Sequence, residues 1–446
     1  KQKTMRDSIH QHVCIIIMGF ACLLRFTGYD MATFIVESFL HSAYIRDPST
    51  IVNHAGFYGQ SINEISLCIS CLFVPILFNY THSEWSLVYG TLCLFIFCAS
   101  FLFINNYLYF ISNIILGFGF SLLFTGVSAY QMQFSTKETL ARNSARVSGI
   151  GGVSLIFGAA VYSFISHSDS TVDNHIEEVN TYRYYSESET RWMYGSFTVS
   201  MLLSLLLHCF LPSREVINSV SSINKHKRLS INEQIKMMCS TLIDPSILYL
   251  IPCFINHGIS YTFFMNIYPT SLQYSSILSN QYPTLTAYYA YSMCLGIILC
   301  GVITLPLSKW FNDFGLRPVY FITLITQFVI FTLCVLTVPN WATSHPTDES
   351  AVIEPSIIWV LIISFLIGFA DTTITTANTV YCSRILPGRA FHVYSTGRFY
   401  IGTSAAVLFF VSPSLSMVYH TVIQYAFIIL SFFSFLIIGR RINKIE

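Results

Sequence analysis

The sequence predicts an all-α integral membrane protein of twelve transmembrane helices, arranged as two parallel six-helix pseudo-repeats. Three observations predict it. Charged residues are 10% of 446, the apolar set is 53% and mean hydropathy is +0.58, whereas roughly a quarter of a soluble domain is charged. Twelve apolar stretches each approach the about 20 residues that a bilayer crossing needs. The basic residues gather in alternate connections between those stretches. A soluble, disordered or fibrous chain is excluded. With 23 Lys+Arg against 22 Asp+Glu, formal charge is +1, which leaves no basic excess for nucleic acid and no acidic tail.

The predicted spans run over about 11–41, 57–79, 85–104, 107–133, 144–166, 191–211, 246–268, 284–308, 319–338, 356–380, 393–411 and 415–438. Lys1, Lys3 and Arg6 before the first stretch resemble a signal peptide, but Arg25 and Asp30 stand where a cleavage site would follow. The segment reads as span one. It is too long for a perpendicular helix, so it must tilt, break near Gly28, or project from the bilayer. Pro75, Pro252 and Pro306 fall inside spans, where lipid-embedded helices tolerate kinks. Trp85, Trp192, Trp310, Trp341 and Trp359 fall at span ends, where indole prefers the interface.

Charge fixes the expected orientation. With both termini cytoplasmic, 19 of the 23 Lys and Arg lie on the inner side, Arg46, Arg183 and Arg191 lie outside, and Arg25 lies within span one. Polar, acidic outer loops cover about 168–190 and 340–355. A linker over 212–245 with five basic residues divides the chain into an N-terminal bundle, 1–211, and a C-terminal bundle, 246–446. Of 13 cysteines, Cys14, Cys22, Cys93, Cys98, Cys294, Cys300 and Cys334 lie in apolar runs, so no disulfide framework is expected. The pair Cys68 and Cys71 sits mid-span and reads as core.

The halves repeat. Pro75 and Val88-Tyr89 return as Pro306 and Val319-Tyr320, an offset of 231, and Leu116-Gly117-Phe118 returns as Ile367-Gly368-Phe369, an offset of 251. A longer outer loop between spans nine and ten absorbs the extra 20. Arg146 of span five is answered by Arg398 of span eleven. Two parallel six-span repeats with a basic central linker are the plan of the major facilitator superfamily. The loop Leu307 to Pro318, with Asn312, Asp313, Gly315 and Arg317, resembles that superfamily's signature loop. Asn312 replaces its usual acid and Asp313 the following base. The first-half loop, Asn79 to Trp85, has lost the motif, which counts against ordinary transport cycling.

Ionisable groups inside a bilayer are costly, so each is a functional candidate. The central-cavity or coupling candidates are Arg25, Tyr29, Asp30, Glu37, Glu64, Asn256, His257, Tyr261, Asp371 and Asn378. They lie on spans one, two, seven and ten. Asp371, Thr375 and Asn378 recur at i, i+4 and i+7 and form a polar stripe. Arg25 with Asp371 could serve a solute or a coupling ion, or Arg25 could make a structural ion pair with Asp30 or Asp371. Glu37 and Glu64 are placed toward the outer surface, hydrated or gate-like. The cytoplasmic gate candidates are Arg146, Asn312, Asp313, Arg317 and Arg398, with snorkelling to headgroups the simpler account of Arg146 and Arg398. His257 reads either as a satisfied interior histidine or as a proton relay. Gly149, Gly151, Gly152 and Gly158 are expected to permit close helix packing. No HExxH, GxSxG, Walker loop or paired CxxC motif occurs, so no enzyme, cofactor or metal is expected.

Several stretches carry a family resemblance: Gly28-Tyr29-Asp30 with Phe34-Ile35-Val36-Glu37-Ser38, Ala55-Gly56-Phe57-Tyr58-Gly59-Gln60, and Gly117-Phe118-Gly119-Phe120. With the length and twelve-span plan, the chain resembles the Unc-93-like ion channel regulatory proteins, a divergent branch of the major facilitator superfamily. Within them it is most similar to the branch called major facilitator superfamily domain-containing protein eleven. The resemblance implies a major facilitator fold and regulation or chaperoning of another membrane protein, such as a potassium channel. The alternative is a secondary transporter of a small organic solute, proton-coupled through Asp30 or Asp371.

Overall fold

In a computed structural model the chain is almost wholly helical. It describes residues 2–77, 81–136, 139–170, 182–214, 219, 230–310, 317–386 and 389–442. The first span is α1 (Gln2–Arg46), one unbroken helix of 45 residues. At 1.5 Å per residue it is about 67 Å long, over twice the hydrocarbon core, so it projects beyond the bilayer. There is no break at Gly28. A Cβ there would lie 3.0 Å from the Phe197 carbonyl oxygen, so the glycine lets the sixth span close on the first.

The next spans are α2 (Ala55–Leu77), α3 (Ser83–Ser100) and α4 (Asn106–Gln133). Asn105 opens α4 by accepting the Tyr107 N–H at 2.9 Å, which satisfies one of the free amides of the first turn. Span five is two helices, α5 (Leu140–Gly152) and α6 (Ser154–Ser170). The break follows the Gly151-Gly152 pair, where helix propensity is lowest short of proline. Span six is α7 (Glu187–Cys209), capped by Ser186.

The linker contributes α8 (Ile231–Leu242) and a single turn, α9 (Pro245–Leu248). Span seven is α10 (Ile251–Thr262), a π turn over Phe263–Ile267, and α11 (Tyr268–Tyr274). Pro269 has no N–H to return to the Met265 carbonyl, and the π turn absorbs that missing bond. A short helix α12 (Ser276–Gln281) follows. Spans eight to twelve are α13 (Leu285–Trp310), α14 (Arg317–Thr337), α15 (Ile357–Ile385), α16 (Ala390–Val411) and α17 (Met417–Ile442). Among the described residues nine helical spans are long and apolar enough to cross a membrane, α5 and α6 counting together as one. The other crossings are α2, α16 and the α10–α11 pair that the π turn divides.

The internal repeat is visible in packing. Gly117 of α4 lies against α2, where a Cβ would meet the Asn63 carbonyl oxygen at 2.2 Å, and Gly368 of α15 lies against α13, where it would meet that of Met293 at 2.0 Å. Ser66 donates to the Ile114 carbonyl across the first pair and Ser292 to the Leu361 carbonyl across the second, both at 2.6 Å. The span-five glycines depart from expectation. Gly149 and Gly152 have nothing within 4 Å of a built Cβ, Gly151 has an ordinary contact, and Gly158 alone is tight, against Met31 and the Thr27 carbonyl.

The two halves meet along α2–α16 and α6–α13. Ser61 donates to the Ala406 carbonyl at 2.8 Å and Cys68 to the Phe399 carbonyl at 3.3 Å. The second seam is carried by α6 against α13, and at α5 Cys294 donates to the Gly152 carbonyl at 3.6 Å. All thirteen cysteines are free. Cys239, exposed on α8 in the linker, departs from a set otherwise carried by the spans.

Candidate functional site

At the outer face, opposite the linker, the interface is sealed by a few side chains. The π turn and α11 aim Asn266 and Gln273 at α1. Asn266 Nδ2 donates to the Thr33 carbonyl at 3.0 Å and Gln273 Nε2 to that of Phe34 at 3.3 Å. Gln273 Oε1 accepts from Ser38 Oγ and from Tyr185 Oη, the latter at 2.7 Å. The strap before α7 lies over this contact. The Arg183 N–H donates to the Gln273 carbonyl at 3.3 Å, the Tyr185 N–H donates to Ser42 Oγ at 3.2 Å, and Arg46 holds the Tyr185 carbonyl. Thr347 of the long outer loop pairs with Tyr274 and Ser276 backbone.

Glu37 belongs to this seal and not to the central cavity. It is 0% exposed. Its Oε1 lies 3.2 Å from His54 Nδ1 and accepts from Tyr274 Oη at 3.5 Å, and its Oε2 accepts the Phe57 N–H at 3.1 Å. The α1–α2 turn that carries His54 has φ 57° there. Gly56 must be glycine-sized, because a Cβ would sit 2.6 Å from Glu37. The outer arginines are all engaged: Arg183 with Glu189, Arg191 with Glu187 at 2.5 Å, and Arg46 with the Tyr185 carbonyl.

The centre is different. Among the described residues all three ion pairs lie at the outer end. Arg25, Asp30, Glu64, Asp371 and Arg398 share one neighbourhood between the halves. Asp30 is within electrostatic reach of Arg25 and Asp371, and Arg398 within reach of Glu64, Asp371 and His257. Arg25 is 4% exposed, with Nε and Nη1 unpartnered and only Cys22 Sγ as acceptor, at 3.7 Å. Its guanidinium lies 4.6 Å over the Phe26 ring. The expected ion pair of Arg25 with Asp30 or Asp371 is not formed. Glu64, placed outward from sequence, is buried instead, beside Gly402 of α16. Tyr29 packs its ring 4.6 Å from that of Phe120 and leaves its hydroxyl free of any described partner; it and Tyr261 lie near Glu64 and Asp30.

Toward the linker side Arg398 closes the centre. It lies 4.3 Å over the Phe124 ring of α4 and donates to Tyr394 Oη at 2.9 Å. It therefore bridges the halves by a cation–π contact and does not snorkel to headgroups. Its repeat partner Arg146 is exposed on α5. Beyond Arg398, Ser128 and Thr379 are exposed. His257 accepts from Asn378 Nδ2 at Nδ1, 2.9 Å, and faces Thr375 Oγ1 at 3.5 Å. That arrangement fits an interior histidine with both nitrogens occupied. The histidine lines a narrow cleft with Thr375, Asn378, Tyr394 and Arg398.

A family model described as ion channel regulatory protein UNC-93 matches residues 47–436. The chain belongs to the UNC-93 family. The UNC93-like protein MFSD11 of Xenopus laevis is 21% identical to it over 422 residues, which is 90% of each chain, and that of Xenopus tropicalis is equally similar. Solved structures share the fold. A peptide transporter POT in complex with sulfate aligns at TM-score 0.65 with 14% identity over 97% of this chain and 95% of that one. A POT family transporter in complex with 5-aminolevulinic acid aligns at 0.66, 10% identity and 96% of each chain, and the nucleoside transporter NupG at 0.61, 13% identity, 96% and 99%. The architecture is that of the major facilitator superfamily.

In this UNC-93 chain the stripe on α15 and the α1 charges do come together, but Asn256 stands apart. Its Nδ2 donates to Gln327 Oε1 at 2.9 Å, its Oδ1 accepts from Gln424 at 2.6 Å, and Ser260 closes the ring with both glutamines. This network ties α10, α14 and α17 inside the C-terminal bundle. Gln327 and Gln424 were not singled out from sequence; their signal is a lone amide in an apolar span, as costly there as a charge is conspicuous. Asn256→Ala should lower thermal stability by about 1–3 kcal/mol, read as an earlier melting transition in detergent. An unchanged transition would show that the ring is dispensable. Gln273 was also missed, because its partners lie on α1 and in the strap. Asn312 and Asp313 lie outside the described residues, and for Arg317 only the backbone, opening α14, is described.

Proposed function

We propose that this UNC-93 family protein is a regulator of another membrane protein that responds to a small charged solute bound between its two bundles. One observation carries the solute site: Arg25, Asp30, Glu64, Asp371 and Arg398 share one neighbourhood between the halves, and among the described residues no ion pair forms among them. Charges left unpaired in a low-dielectric interior are unstable unless water or a ligand answers them. The bundles 1–211 and 246–446 would move as units about the α2–α16 and α6–α13 seams, with the linker 212–245 between them. Solute binding would bias that equilibrium by its differential affinity for the two arrangements. Family membership supports the regulatory output, and an ion channel is the partner class that the family description suggests; a potassium channel is the member of that class proposed here.

The test is purification from native membranes in mild detergent, with stoichiometry of the co-purifying proteins. A channel recovered near one-to-one supports the reading, and recovery of this chain alone contradicts it. A second reading is secondary transport, favoured by the sealed face opposite the linker and the charged centre beneath it. It expects Asp371→Asn to abolish uptake at unchanged surface expression. Retained uptake removes Asp371 from that mechanism.

A further inference from the structure

We propose that α8 is an interfacial helix whose exposed apolar edge sits in the bilayer leaflet on the linker side, among anionic headgroups. The helix has three faces. Gln234, Met238 and Thr241 are buried against the foot of the C-terminal bundle. Arg389 of α16 donates to Ser240 Oγ at 3.0 Å, Tyr400 Oη to the Leu242 carbonyl at 3.2 Å, and Thr396 Oγ1 to Met238 Sδ at 3.8 Å. Asn232, Glu233 and Lys236 form an exposed polar face. Between the two runs an edge of Ile231 and Ile235, both exposed, with half-buried Leu242 close in angle on the helix.

Among the described residues nothing covers that edge, and its continuation identifies the occupant. Ile243, one residue past the helix end, is 73% exposed, and Leu248 and Tyr249 are exposed at the foot of span seven. Past the half-buried Asp244, the exposed apolar positions Ile243, Pro245, Leu248 and Tyr249 lead from that edge to the foot of the span. The helix is held in register at its start: Ser230 and Glu233 form a reciprocal capping box, and hydrogen bonds from the Ser230 backbone N–H and side chain keep the Glu233 carboxyl below the usual carboxylate range. An amphipathic helix pinned at membrane height, with an apolar flank and a polar outer face, meets the conditions for lying in the interface. Lys236 on α8 and Lys225, Lys227 and Arg228 in the preceding linker supply the charge that anionic lipid attracts.

The experiment uses the full chain with Cys209→Ser and Cys239→Ser, which removes the two exposed thiols. A single cysteine then carries an environment-sensitive fluorophore, at Ile235→Cys or Lys236→Cys. Both positions are exposed, so neither substitution disturbs packing. Each is reconstituted at one copy per nanodisc in phosphatidylcholine and phosphatidylserine with doxyl-labelled lipid. The label at position 235 should be blue-shifted and quenched at least about twofold more than that at 236, which should respond to aqueous iodide. Equal behaviour at the two positions would overturn the proposal. So would a label at 235 that neither doxyl lipid nor iodide reaches, because protein would then cover the edge.

Discussion

Gln273→Ala will unlatch the outer face. The side chain joins Ser38, Tyr185 and the Phe34 carbonyl in three hydrogen bonds, and alanine removes all three. At about 0.6 kcal/mol for each bond between membrane helices, the closed arrangement loses about 2 kcal/mol, or roughly 20-fold in population. The measurement is labelling of a cysteine placed at Thr33, buried beneath the seal, by a membrane-impermeant maleimide added at the outer face, in a chain without Cys209 and Cys239. Labelling about 20 times faster in the Gln273→Ala background is the expected outcome. An unchanged rate in well-folded protein would mean that the strap and Glu37 hold the face shut without Gln273.

The second large effect concerns glycine. Gly117→Ala and Gly368→Ala each force a methyl against a backbone carbonyl, at 2.2 Å and 2.0 Å. Helix backbones cannot yield as a side-chain tip can, so both variants should lose about 1–3 kcal/mol and melt roughly 1–3 °C earlier. Gly149→Ala and Gly152→Ala meet open space. They should hold or raise the melting temperature, because alanine is the better helix former by about 1 kcal/mol. Melting followed by size-exclusion fluorescence separates the two pairs. Similar losses at all four positions would remove the distinction.

This contrast shows what a single sequence can carry. Hydropathy and basic-residue bias locate spans because the bilayer imposes them on every residue. The predicted second span, 57–79, and the observed α2, Ala55–Leu77, begin two residues apart, and residues 78–80 lie outside those described. The repeat was legible for the same reason that Gly117 and Gly368 match: each half solves the same packing problem. The clustered span-five glycines misled, because glycine count reports backbone freedom and not what lies opposite. There the freedom ends a helix. Arg25, Asp30, Glu64 and Asp371 were legible as charges in lipid, but their mutual spacing was not. Arg25 and Asp30 stand five apart on one helix, about 140° apart in angle, so they do not face each other; whether either meets Asp371 depends on helix rotation, which no local pattern fixes. Arg398 was read as a headgroup contact because its cytoplasmic position was known and the Phe124 ring facing it was not. Glu37 reads as hydrated or gate-like from its place near an outer end; the His54 turn that covers it, which no local pattern shows, leaves it buried within the seal.

The central claim is that the unpaired charges between the bundles answer a solute. The most direct measurement is the melting temperature of the purified chain against a panel of small charged probes: glycine, glutamate, lysine, glycylglycine and inorganic phosphate. The same titrations are then made on Arg25→Gln and Asp371→Asn. The account predicts a saturable rise with at least one probe that is lost in both variants, while their melting without probe is held or raised, since each variant removes a buried unpaired charge. A chain that none of the probes stabilises, or variants that respond as the unsubstituted chain does, would contradict it.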